Sequence, residues 1–229
     1  MDRYLEKFNI DNVKTVSLIP SKKNSVYLIK TAQKDCILKV YKLFGQKGFK
    51  REMNILRKVP PPLIPLVFAS YKREAILIEY IEGKRIFDLQ KEELTTKIID
   101  RLIQWFYKFH LSLPGYIRGD SIPQNFIIKK DGSILGIDFE EAKRGDILLD
   151  IVEFSAFLLA WKRLKYEQRK DLAGYLISSW QRLMPYDIKP FLTIYFTKFF
   201  RKFYFFRKDK TILDFIQNID EIVEIMLKF

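Results

Sequence analysis

Three residues able to hold a hard metal ion lie close together in one stretch of the chain, RGDSIPQNFIIKKDGSILGIDFEEAKRGDILLD, which begins at Arg118. They are Asp120, Asn125 and Asp138. Two short apolar runs, 125–128 and 134–137, flank Lys130-Asp131-Gly132, and Asp-Gly is a strong hairpin-turn signal. A tight hairpin brings the residue before its first strand near the residue after its second. The pattern therefore predicts Asn125 beside Asp138, with Asp120 on the loop just upstream. Two carboxylates and an amide oxygen form an oxygen-only set that suits Mg²⁺, an ion that keeps several waters and bridges to phosphate oxygens. The plain alternative makes Asp120 a turn former and Asp138 a helix cap.

A second pair lies upstream. Lys39 sits in the apolar run ILKVY, where an unpaired cation is expensive to bury. Glu52, in FKREMNIL, is the acidic residue of the helix that follows and the natural partner. Otherwise Lys39 is an edge-strand lysine and Glu52 a solvated helix residue. Cys36, the single cysteine, excludes an intramolecular disulfide and reads as a small buried hydrophobe. His110, within WFYKFH, reads as a packed residue rather than a base.

The elements that must position these groups follow from periodicity. Residues 16–20, 25–30, 35–41 and 76–80 read as strands, and 49–59 as a helix stopped by Pro60-Pro61-Pro62. Residues 94–111 form a long amphipathic helix that ends at Pro114-Gly115, and the chain from about 148 onward is helical with a break near Met184-Pro185. The expected architecture is α+β and two-lobed: a small β-rich lobe with one helix over 1–83, and a larger helical lobe over 84–229.

Hydrophobic residues at 48% of 229 supply a core and exclude general disorder. A net charge of +13 favours polyanionic company such as nucleotide phosphates, or weak contact of basic helices with an anionic surface. The segment FLTIYFTKFFRKFYFFRKDK mixes aromatics with Lys and Arg; it reads as a core-facing helix with a basic outer face, or as a surface for an anionic partner. Nothing in the pattern requires nucleic acid. No apolar run approaches the roughly 20 residues of a membrane span, and the first residues lack a signal-peptide layout, so a cytoplasmic protein is expected.

The pattern G-D-x-x-P-x-N, a hairpin, then I-D-F-E-x-A-x-x-G-D-x-x-x-D resembles the aminoglycoside phosphotransferase and choline kinase branch of the protein-kinase-like superfamily. The resemblance implies a kinase-like fold and transfer of a phosphoryl group from ATP, with Mg²⁺, to a hydroxyl. It makes Asp120 the base that orients the acceptor, Asn125 and Asp138 the metal ligands, and Lys39, paired with Glu52, the lysine on the nucleotide phosphates. Ser21, Asn24 and Ser25, in SKKNSVY, would cap the phosphates, and the backbone of Glu79 and Ile81 would meet the adenine. Asp146 would cap a helix, and Asp150 would brace the catalytic loop through backbone hydrogen bonds.

Arg118, Ile122 and Glu140 depart from the usual residues at their positions: His at the first, often His or Lys at the second, and, in protein kinases, Gly at the third. The stretches that build the acceptor pocket in this branch, after Gly83 and after Asp150, are short here. The expected acceptor is an amino-sugar, amino-alcohol or sugar-like small molecule. A compact atypical Ser/Thr protein kinase, a lipopolysaccharide or glycan kinase, and a non-catalytic nucleotide-binding module are the alternatives.

Overall fold

The computed structural model describes residues 2–42 and 45–228. It divides into two compact units, Met1–Gly83 with Ile127–Ala142, and Lys84–Phe126 with Lys143–Phe229. The segment 127–142, grouped with the second lobe by the sequence reading, clusters with the first unit.

In the first unit a short helix, α1 (Asp2–Lys7), precedes β1 (Val13–Ile19), β2 (Ser25–Thr31), β3 (Cys36–Val40), helix α2 (Gln46–Lys58), β4 (Val67–Tyr71) and β5 (Ala75–Glu79). The five strands form an antiparallel sheet in the order β1-β2-β3-β5-β4. Successive side chains of a strand face opposite ways. On β3, Cys36 and Leu38 therefore join Ile29, Ala75, Leu77 and Tyr4 of α1 in one apolar cluster. Lys39 is left to the other face, where Glu52 of α2 meets it. Helix α2 also buries Phe49, Met53, Ile55 and Leu56. At about 1.5–3 kcal/mol for each large side chain, that burial fixes the face on which Glu52 is carried.

Strands β8 (Phe126–Ile128) and β9 (Ile134–Gly136) are neighbours, joined by the expected turn. Gly132 takes φ +78°, a conformation glycine adopts without a Cβ penalty, and donates its N–H to Lys129 O at 2.9 Å. Asp131 Oδ1 accepts Ser133 N–H at 2.8 Å and locks the same turn.

The second unit holds β6 (Lys84–Arg85), α3 (Thr96–Ser112), β7 (Tyr116–Ile117), β10 (Lys143–Arg144), α4 (Leu148–Leu159), α5 (Tyr166–Leu183), α6 (Lys189–Arg207), α7 (Thr211–Gln217) and α8 (Ile219–Met226). Helix α4 is buried almost throughout and packs against α5 and α6. Its surroundings are aromatic: Trp105, Phe106, Phe126 and Phe154 meet ring to ring at 5.0–6.4 Å. Trp161 stacks on Phe87, and Trp180 is fully buried. β7 and β10 pair antiparallel, Lys143 opposite Ile117. No helix among the described residues is long and apolar enough to cross a membrane.

Candidate active site

Lys39 is the centre of the polar cluster in the first unit. Its ammonium is 2.6 Å from Glu52 Oε2, 2.9 Å from Asp138 Oδ1 and 2.6 Å from Glu140 Oε1. Lys39, Glu52 and Glu140 are buried, while the Asp138 side chain is 48% exposed and thus open to a ligand. Burial alone would lower the lysine pKa, but the charges of Glu52, Asp138 and Glu140 outweigh it and raise it, so Lys39 is a fixed cation. Tyr41 donates its hydroxyl to Glu52 Oε2, and burial with the Glu52 charge holds that hydroxyl protonated.

Asp138 adopts φ +61°, a left-handed backbone that is unusual outside glycine. The chain thereby turns directly after β9, and Phe139 N–H points at Glu52 Oε1, 3.5 Å away. Glu140 follows into the cluster, and Asn24, from the β1–β2 turn, donates its side-chain amide to Glu140 Oε1. A Cβ on Gly48 would come 2.9 Å from Glu140 Oε2, so the glycine at the start of α2 makes room for that carboxylate. Glu140 thus joins the Lys39 cluster as a buried carboxylate.

Glu52, Asp138 and Glu140 each present one carboxylate oxygen within 4.8 Å of the others. This oxygen-only donor set, with one member half exposed, fits a hard divalent cation. Of the other residues expected on the nucleotide side, Asn24 is buried, Ser25 half-buried and Ser21 exposed. Glu79 and Ile81 line a cavity of about 400 Å³ with Leu66, Tyr80, Glu82 and Leu135. The Glu79 amide already donates to Leu66 O at 2.9 Å, so its carbonyl is the backbone group it can offer a base.

The loop 118–125 carries the polar cluster of the second unit. Asn125 gives its amide nitrogen to Asp120 O at 2.9 Å and Asp120 Oδ2 at 3.0 Å, which turns its carbonyl oxygen to other partners. Arg118 is fully buried. Its Nη1 donates to Asp120 O at 3.0 Å, and its guanidinium sits 4.6 Å from the Phe126 ring centre. Asp150 of α4 accepts Arg118 N–H at 2.9 Å, Gly119 N–H at 3.2 Å and Ser121 Oγ at 2.7 Å. It braces the loop as the sequence suggested. Asp146 accepts Leu148 N–H at 3.0 Å at the start of α4, and Tyr195 donates its hydroxyl to the other oxygen.

Two members of this cluster escaped the sequence reading. Lys202 of α6 lies 3.3 Å from Asp120 Oδ1 and 2.6 Å from Glu153 Oε1, and Glu153 Oε2 accepts Ser121 N–H at 2.9 Å. The signal was there for Glu153, which with Asp150 makes two acids in the otherwise apolar LLDIVEFSAFLL, because a charge in so apolar a helix must find a partner. His110 packs among the rings of Phe106, Phe109 and Trp180, and Nδ1–H donates to Tyr116 O at 3.1 Å. Burial lowers its pKa, which keeps it a neutral core residue.

The structure therefore gathers Lys39, Glu52, Asp138 and Glu140 in one unit, and Asp120 and Asn125 in the other.

Comparison with known proteins bears on the class. A family profile described as an ABC1 atypical kinase-like domain matches residues 46–146, which include Glu52, Asp120, Asn125 and Asp138. An amicoumacin kinase, solved in complex with AMP-PNP and Ca²⁺, superimposes with a TM-score of 0.65 at 10% identity. The match covers 98% of this chain and 94% of that one. No curated protein matches at a significant level. The chain has a protein-kinase-like fold, α+β, with a sheet-rich first unit and a helical second one.

Proposed function

We propose that this protein is an ATP- and Mg²⁺-dependent phosphotransferase that moves the γ-phosphoryl group to a hydroxyl of a small amino-sugar, amino-alcohol or sugar-like molecule in the cytoplasm. The observation that carries the reading is the buried Lys39 ammonium, held 2.6 Å from Glu52 and 2.9 Å from the half-exposed Asp138. A lysine locked by one buried acid and shared with an open one serves a ligand better than it serves the core, where an apolar residue would pack as well. The order Lys39, Glu52, Asp120, Asn125, Asp138 supports it, as does the full-length likeness in fold to an amicoumacin kinase.

In this reading Lys39 binds the nucleotide phosphates, and the turn of Ser21, Asn24 and Ser25 covers them. Asp138, with Asn125, would hold the metal, and Glu140 would add a further oxygen. When bound, Mg²⁺ would supply positive charge to the nucleotide phosphates. Asp120 orients the acceptor hydroxyl. As the acceptor oxygen bonds to the γ-phosphorus and the bond to the bridging oxygen of ADP breaks, Asp120 takes the acceptor's proton. The protein's part is positioning and electrostatics.

The match to the ABC1 atypical kinase-like domain favours a second reading, an atypical kinase with a different acceptor. One experiment addresses both: ATP consumption by the purified chain over amino-sugars, choline-like alcohols, sugars and a generic protein substrate. Asp138→Ala is expected to abolish metal-dependent turnover. Asp120→Asn should lower kcat by about two or more orders of magnitude with ATP affinity nearly unchanged. Wild-type transfer by Asp120→Asn would sink the assignment.

A further inference from the structure

We propose that Lys202 is the residue that positions Asp120 for phosphoryl transfer, a cation delivered from α6 to a catalytic loop that carries none at Ile122. The inference rests on the reading of Asp120 as the base that orients the acceptor.

The loop's own cation is committed elsewhere. The Arg118 guanidinium is buried, bonded to the Asp120 carbonyl and laid against Phe126, so it fixes the loop backbone. The Asp120 carboxylate is held from two other sides. Asn125 donates to Oδ2 at 3.0 Å, and the Lys202 ammonium lies 3.3 Å from Oδ1. One anchor on each oxygen opposes rotation of the carboxylate about its own bond.

Lys202 is itself anchored. A lysine on a helix surface ordinarily spends its flexible stem in water, and ordering it costs rotamer entropy. Here Glu153 Oε1 lies 2.6 Å from Nζ, and the Glu153 side chain is only 1% exposed. The other Glu153 oxygen accepts the N–H of Ser121, the residue after Asp120. The same buried carboxylate thus fixes both the ammonium and the loop on which Asp120 rides. The side chains of Lys202, 35% exposed, and Asp120, 31% exposed, stay accessible, as groups at a reacting centre must. During transfer the ammonium stays protonated and holds Oδ1, while the acceptor's proton passes to Asp120.

The test uses the full chain with Mg-ATP and water as the acceptor, reading ADP release from Lys202→Met, Lys202→Arg and Asp120→Asn. Lys202→Met is expected to lower kcat about 10- to 100-fold with KM for ATP within about twofold, the scale of a misplaced catalytic group. Lys202→Arg should recover part of the loss. Where Lys202→Met does not fold, Lys202→Gln carries the same comparison. Wild-type kcat in Lys202→Met beside an inactive Asp120→Asn overturns the role of Lys202 and leaves that of Asp120 standing. Wild-type turnover in Asp120→Asn overturns the reading of the site, and this inference with it. If the parent releases no ADP, melting temperatures decide. The Lys202→Met, Asp120→Asn double variant should lose an amount different from the sum of its singles, and strict additivity overturns the contact.

Discussion

Lys39 holds Glu140 as closely as it holds Glu52, with Nζ 2.6 Å from a carboxylate oxygen of each. Asp138 makes a third acid at 2.9 Å, so one ammonium faces three carboxylates. The cluster carries an excess of negative charge, which a divalent cation would balance. Lys39→Met removes the buried ammonium and leaves the buried acids without it, at a cost of about 3–5 kcal/mol. Calorimetry should show a lower melting temperature for the variant, recovered in part by millimolar Mg²⁺, and turnover reduced at least about 100-fold. A Lys39→Met protein as stable as the parent, with no response to Mg²⁺, would show that the cluster is not under charge strain.

Asp150 satisfies three donors of the loop 118–125: two backbone N–H groups and the Ser121 hydroxyl. Asp150→Ala strands them beside a buried helix, and each orphaned donor costs about 1–3 kcal/mol. Denaturant unfolding should show a loss of roughly 2–4 kcal/mol. Asp150→Asn, which keeps one acceptor oxygen, should lose less. Equal losses in the two variants would mean that the acceptor oxygens are not what matters.

Gly83 has a purely steric reason to be glycine. A Cβ there would sit 2.3 Å from Ile128 O and 2.7 Å from Ile127 Cγ2. Gly83→Ala must push the β8 backbone aside, and overpacking of this kind costs about 1–3 kcal/mol. A neutral melting-temperature change would contradict the close approach.

Glu153 gives the protein a pH dependence. Burial pushes its carboxyl from an ordinary value of 4.5 up to about 7, against the pull of Lys202 and the Ser121 N–H. The folded state therefore prefers the protonated acid. The stability this preference contributes is fully present below about 4.5 and is lost progressively as pH rises through about 7. Glu153→Gln removes that slope. Between pH 5 and pH 8 the stability difference between variant and parent should move in the variant's favour by on the order of 2 kcal/mol. Parallel stability curves across that range would refute it.

The parts of the site that were legible in the sequence are those set by short-range rules. The hairpin 125–138 follows from Asp-Gly between two apolar runs, and the Lys39–Glu52 pair from the cost of a lone buried cation. Lys202 was not legible, because it reaches Asp120 from 82 positions away through helix packing. The left-handed backbone of Asp138, φ +61°, was not legible either, because no side-chain pattern announces it. Among the elements, α1 went unread because DRYLEK is too short for a helical period. β4 is an edge strand, VFASY, whose bulge between Val67 and Ala69 interrupts the alternation that would reveal it.

The three tryptophans, Trp105, Trp161 and Trp180, are all buried and all belong to the helical unit, while the sheet unit with Lys39 has none. Intrinsic indole fluorescence is therefore a selective reporter that senses melting of the helices from within their own unit. An emission trace that runs ahead of or behind a whole-molecule signal such as heat capacity would reveal two separately cooperative units, without any label being attached.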